Sequence, residues 1–226
     1  MAALPTLAPM WVIAIPFIGA AAIAASHNHP RLRDGLGWLA SIAFFVAVCG
    51  HIEPTMSGLG ATQTLGELLP GVSIGFALEP LGLLFALIGA SLWLVATLYA
   101  QSYMKHMDYP HLARFFACYA IALGAAAGMA FSANLLTLFI FYEILTLSTY
   151  PLVTHSGSEE ARRGGRVYLF YLLASSVGLL LPAIIWTYAA TGTLTFQSAA
   201  LSMGTLRPTG SPCCWAFLPS ALAKPR

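Results

Sequence analysis

The sequence predicts an all-α, polytopic membrane protein with six transmembrane helices and its N-terminus outside. Three observations predict it. Of its 226 residues, 58% are hydrophobic and only 8% charged, where a soluble domain carries roughly 25% charged residues. Six apolar stretches reach or approach the roughly 20 helical residues that cross a hydrocarbon core of ~30 Å. All seven Lys and Arg residues before position 200 fall in alternate connections between those stretches.

The first stretch covers 4–26 and has no Lys or Arg ahead of Arg31. A cleaved signal peptide needs a positive start, so this segment reads as a retained span. The second, 35–50, is short and needs its flanks to cross. The others are 76–103, 112–131, 134–153 and 167–191. Pro16 and Pro182 lie inside spans and predict kinks rather than ends, which a membrane helix tolerates where neighbours satisfy the freed backbone. Gly124 and Gly128 have the small-xxx-small spacing that lets two helices approach closely.

Orientation follows from the basic residues. The first connection holds Arg31 and Arg33, the third Lys105 and Arg114, and the fifth Arg162, Arg163 and Arg166. The second, 51–74, has Glu53 and Glu67 but no basic residue. Its Gly, Thr and Ser content reads as an exposed external loop. The fourth is a bare turn at Ser132-Ala133. Glu79, at the outer start of the third span, reads as an interfacial acid. The chain divides into 1–75 (two spans and the external loop), 76–195 (four spans) and 196–226. The last part, with Pro208, Pro212, Pro219 and Pro225, is too broken to cross. Its Arg207, Lys224 and Arg226 lie on the outer side against the charge rule, so it reads as an unstructured end from a shifted frame or a truncation.

Several functions are excluded. A net charge of +2, scattered along the chain, gives no nucleic-acid footprint. Cys49, Cys118, Cys213 and Cys214 form no CxxC, zinc spacing or disulfide framework. His27, His29, His51, His106, His111 and His155 lie at span ends or in loops, so no mid-span pair offers a haem ligand set and all six read as interfacial. With no nucleophile–base pair, metal cluster or phosphate loop, no catalysis, cofactor or metal is expected in this chain.

One residue breaks the apolar pattern. Glu143 falls near the middle of NLLTLFIFYEILTLSTYP, close to the bilayer midplane. An acid there costs at least ~2.5 kcal/mol on insertion scales, and such a group usually serves ion or proton movement. Thr146, Tyr150 and Thr154 follow it at helical spacing towards the inner side, while Leu136, Phe139 and Ile140 precede it. Hydroxyls at that spacing can hold a short water file. Tyr168, Tyr171 and Ser175 open the next span at similar spacing and are expected to face it. Low dielectric favours the neutral carboxyl and a nearby cation favours the charged one, so a movable cation would switch it. The alternative is a protonated glutamate that simply ties two helices together.

FYEILTLSTYPLVTH followed by RRGGRVYLFYLLASSVGLLL resembles the antiporter-like L, M and N membrane subunits of proton-pumping NADH:quinone oxidoreductase. It is still more similar to the D-type membrane component of Mrp sodium/proton antiporters and to the related membrane-bound hydrogenase subunits. EPLGLLFALIGASLWLVATLYAQSYM is similar to the third-span region of that family, and the likeness runs from about 76 to 195. The resemblance implies a fold of about fourteen helices built from two inverted five-helix repeats. It implies that Glu143 matches the fifth-helix glutamate that moves protons with a seventh-helix lysine. It further implies no bound redox cofactor, partner membrane subunits, and a place in the cytoplasmic (inner) membrane. Six spans do not hold that lysine or the second repeat, and neither Lys105 nor Lys224 takes the role. Another polypeptide is then expected to supply the rest, or the chain is a non-conducting structural subunit or remnant.

Overall fold

In the computed structural model, residues 9–57, 62–69, 72–106 and 111–196 are described. The expected aberrant tail and its cysteines lie outside them. The described chain forms α1 (Pro9–Ala25), α2 (Pro30–Gly50), α3 (Ile52–Met56), β1 (Thr62–Leu69), β2 (Val72–Ala77), α4 (Pro80–His106), α5 (Leu112–Ala130), α6 (Leu135–Val153), α7 (Glu159–Ser175), a π-helical turn (Ser176–Leu180) and α8 (Leu181–Thr191). Five helical segments among the described residues are long and apolar enough to cross a membrane, with α7, the π turn and α8 counting as one. The shorter apolar α1 stands where the sequence predicts a full first span.

α5 is the central rod, flanked by α1 and α6. Its small-xxx-small pair explains why. Pro16 and Phe17 of α1 crowd the Cα of Gly124, and the ring of Phe141 on α6 crowds that of Gly128, so a side chain at either glycine would collide with a neighbouring helix. Bare backbone at those positions lets the helices close. The core joins Val12, Ile23, Phe44, Trp93, Ala120 and Phe131 from α1, α2, α4, α5 and its exit. Many large apolar side chains point outwards, such as Leu92 and Val95 on α4 and Phe170 and Trp186 on the last rod. A lipid-facing surface has that character, because lipid tails are as apolar as a core.

The second connection is not a featureless exposed loop. It contains the short α3 and an antiparallel hairpin pairing Thr62 with Ala77 through Leu69 with Val72. Val72 and Phe76 are buried, so β2 lies against the helix ends. The segment counted as the start of the third span is therefore strand, and α4 begins only at Pro80, whose missing N–H suits a first helical turn. The expected bare turn at Ser132-Ala133 is stitched on both sides. Ala77 N–H donates to Phe131 O (2.7 Å), Ala133 N–H to Gly75 O (2.9 Å) and Leu135 N–H to Leu194 O (3.1 Å).

Two connections are shorter than expected because their charges start helices. α2 takes in Arg31 and Arg33, and α7 takes in Arg162, Arg163 and Arg166 behind Ser158, whose side chain accepts from Ala161 N–H. Glu159 and Glu160 occupy the first turn of α7, where negative charge suits the helix dipole. Arg33 is buried rather than solvated: its Nε and Nη2 both donate to Asp34 Oδ1, at 3.0 and 2.9 Å.

Candidate functional site

The site is built along α6, starting from its N-terminal end. Asn134 is its N-cap, accepting from Thr137 N–H at 2.8 Å, which satisfies one of the orphan donors of a first turn. The same amide donates through Nδ2 to Ser73 O. Thr137, fully buried, accepts from Gly75 N–H at 3.1 Å. β2 is thereby clasped to the head of α6.

Two turns further in, Phe141 meets Gly128 and also packs edge-on against Phe76 (centroids 5.6 Å) and tilted against Phe17 (6.5 Å). This aromatic group closes the N-terminal half of α6. Glu143, ninth of the nineteen residues of α6, comes next. Its Oε1 is buried and accepts no hydrogen bond among the described residues. A buried acceptor without a partner costs about 1–3 kcal/mol, more when charged. The sequence places an acid at this level, and the fold leaves one of its oxygens unsatisfied.

Towards the C-terminal end of α6, Thr146 and Ser148 are buried. Tyr150 and Thr154 lie against the bare Cα of Gly165 on α7. The hydroxyls on this half bond to their own helix. Ser148 Oγ donates to Leu145 O (2.8 Å), Thr149 Oγ1 to Thr146 O (2.8 Å) and Thr154 Oγ1 to Tyr150 O (2.9 Å). Each retains acceptor capacity.

Tyr168, Tyr171 and Ser175, expected on the facing side of the neighbouring rod, are all exposed, Tyr168 by 42% and Tyr171 by 69%. Ser175 Oγ donates back to Leu172 O at 2.8 Å. Tyr168 lies one turn along α7 from the buried Gly165, and Tyr171 and Ser175 follow it on the exposed flank of the rod. In their place stands a feature that hydropathy does not reveal. α7 meets α6 at Gly165, level with Tyr150, while Leu180 and Ile184 meet α6 near Leu136 and Phe139. The level of Glu143 falls between these contacts, opposite the junction of α7 with the π turn. There Leu181 N–H reaches Ser176 O, and Ser176 is 2% exposed. The expected kink at Pro182 takes this form, since a widened turn relieves the clash of a proline ring with the preceding turn. Single π turns often mark functional positions, and the sequence signal for this one is Pro182 following Gly178.

Two histidines expected at the interface are buried. His51 Nδ1 lies 2.7 Å from Ala47 O at the end of α2. His155, just past α6, packs against Phe115 with centroids 5.1 Å apart. Burial pushes the His155 imidazole below its ordinary value, and the charges of Arg114 and then His111 push the same way.

Residues 132–224 match the family model described as "NADH:quinone oxidoreductase/Mrp antiporter, TM", a span that includes Glu143, the π turn and Pro182. The Na(+)/H(+) antiporter subunit A1 of Staphylococcus aureus (strain JH9) is 28% identical over 133 residues, covering 57% of this chain and 16% of the relative. The chain thus spans about a sixth of the curated relatives it matches. Three solved assemblies share the fold. One is the membrane-bound sulfane sulfur reductase, an archaeal respiratory membrane complex (TM-score 0.77, 21% identity, 89% of this chain and 41% of that one). The Mrp complex from Dietzia sp. DQ12-45-1b gives TM-score 0.71 at 20% identity, over 87% of this chain and 38% of that one. Respiratory complex I from Thermus thermophilus gives 0.69 at 19%, over 85% and 39%.

Proposed function

We propose that this chain, a relative of Mrp antiporter and complex I-like membrane subunits, translocates protons, or protons against a monovalent cation, through Glu143. The observation that carries the reading is a carboxylate half-way along a membrane-length helix, with one oxygen buried and unmatched. Such a group gains most from a proton, a water or a cation that comes and goes. Thr146 and Tyr150 continue its face inwards and offer oxygen acceptors. The π turn opposite frees a backbone carbonyl, because Pro182 has no N–H to give it. The exposed Tyr168, Tyr171 and Ser175 would then border the remaining helices of the family fold. The alternation of basic residues supports an N-terminus on the outside of the cytoplasmic (inner) membrane.

A second reading has its own support. Ser148, Thr149 and Thr154 donate to their own helix, which suits a subunit that packs without conducting. An apolar carbodiimide separates the two, because it modifies protonated carboxyls in apolar surroundings. In the native assembly, transport should fall in step with labelling of Glu143 measured by peptide mass spectrometry. Complete labelling with undiminished transport would establish the packing role.

A further inference from the structure

We propose that the cavity between the inner ends of α1, α2 and α5 holds the phosphate group of an anionic lipid. The cavity has a volume of about 640 Å³ and lies at the opposite end of the bundle from the hairpin. Arg33, 7% exposed, forms part of its wall. Two guanidinium bonds go to Asp34, which leaves three of the five N–H donors of an arginine. Arg114, His27 and His111 stand exposed around the opening. The Arg114 guanidinium makes no ion pair among the described residues.

The backbone adds to this field. α5 starts at Leu112 behind His111, which makes no side-chain cap bond. Leu112 and Ala113 therefore bring first-turn N–H groups to the cavity wall, where the helix dipole favours an anion, while Arg114 N–H donates to His111 O (3.1 Å). Ala24 and Ala117 make the rest of the wall apolar. Cationic donors beside an apolar wall match a lipid, whose phosphate needs the donors and whose chains need the wall. Basic pockets between membrane helices take anionic headgroups for that reason. A free phosphate would use the donors and leave the apolar wall unmatched.

The test uses the purified full chain in detergent, with bound lipid counted by native mass spectrometry after addition of phosphatidylglycerol, phosphatidylcholine or inorganic phosphate. Wild type should retain phosphatidylglycerol in clear preference to phosphatidylcholine. The exposed-rim variant Arg114→Gln/His111→Gln should lose roughly five- to tenfold of that preference. Arg163→Gln, an exposed charge on α7, should leave it unchanged. Ala24→Trp removes no charge but fills the cavity, and should also displace the lipid. Equal retention of phosphatidylglycerol by wild type and both cavity variants would overturn the proposal. Displacement of the lipid by inorganic phosphate at equal concentration would overturn its lipid part.

Discussion

The ring of Phe141 on α6 rests on the bare Cα of Gly128 on α5, two residues before Glu143 on the same helix. That contact fixes the depth and rotation of α6, and with it the level at which the carboxylate enters the bundle. Gly128→Val should force the helices apart at a cost of about 1–3 kcal/mol, as overpacking does. Gly89→Ala on α4, where a new Cβ meets nothing within 4 Å, should be neutral or slightly stabilising. Thermal unfolding of both variants in the same detergent checks the contrast.

Thr137→Val keeps the shape of a buried side chain and removes its hydroxyl. Gly75 N–H then loses its acceptor, at a cost of about 1–3 kcal/mol. The loss is local, so the hairpin should loosen before the bundle does. Hydrogen exchange at 72–77 should speed up in this variant while α5 stays protected.

His155 makes stability depend on pH. Its folded-state value is held below the ordinary 6.5, first by burial and then by Arg114 and His111. Between 6.5 and that lower value, the unfolded chain binds a proton that the folded chain refuses. The contribution is thus complete above pH 6.5 and is lost as pH falls through the window below it. Melting temperature should drop on acidification in wild type and drop less in His155→Gln.

Arg33→Gln leaves Asp34 buried beside a neutral partner, where breaking such a pair costs about 3–5 kcal/mol. Arg33→Gln/Asp34→Asn removes both charges and should recover most of that loss. Denaturant midpoints of the two variants test the coupling.

Much of this was legible in the sequence because hydrocarbon imposes a length on every apolar run. The α5 and α6 boundaries fall within a residue or two of those drawn from hydropathy, and Glu143 stands out as the one acid inside them. What was missed depends on chain geometry rather than polarity. The hairpin strands carry Thr62, Thr64, Val72 and Ile74, but no clean period-2 alternation marks them. The glycine pair on α5 suggested close packing without naming Pro16, Phe17 and Phe141 as what it admits. Hydropathy ends a span at its first charge, which puts Arg33 and the arginines of α7 in loops. A helix can begin among charges before entering lipid. Tyr168, Tyr171 and Ser175 share a spacing with the Glu143 face, but spacing alone does not say which way a helix is turned.

Vectorial proton movement measured in vesicles containing the native assembly, with wild type, Glu143→Asp and Glu143→Gln compared at equal incorporation, bears most directly on the central claim. With protons carried by Glu143, Asp should retain part of the flux and Gln should abolish it, because only the former can bind and release a proton. Wild-type flux in the Gln variant would contradict it.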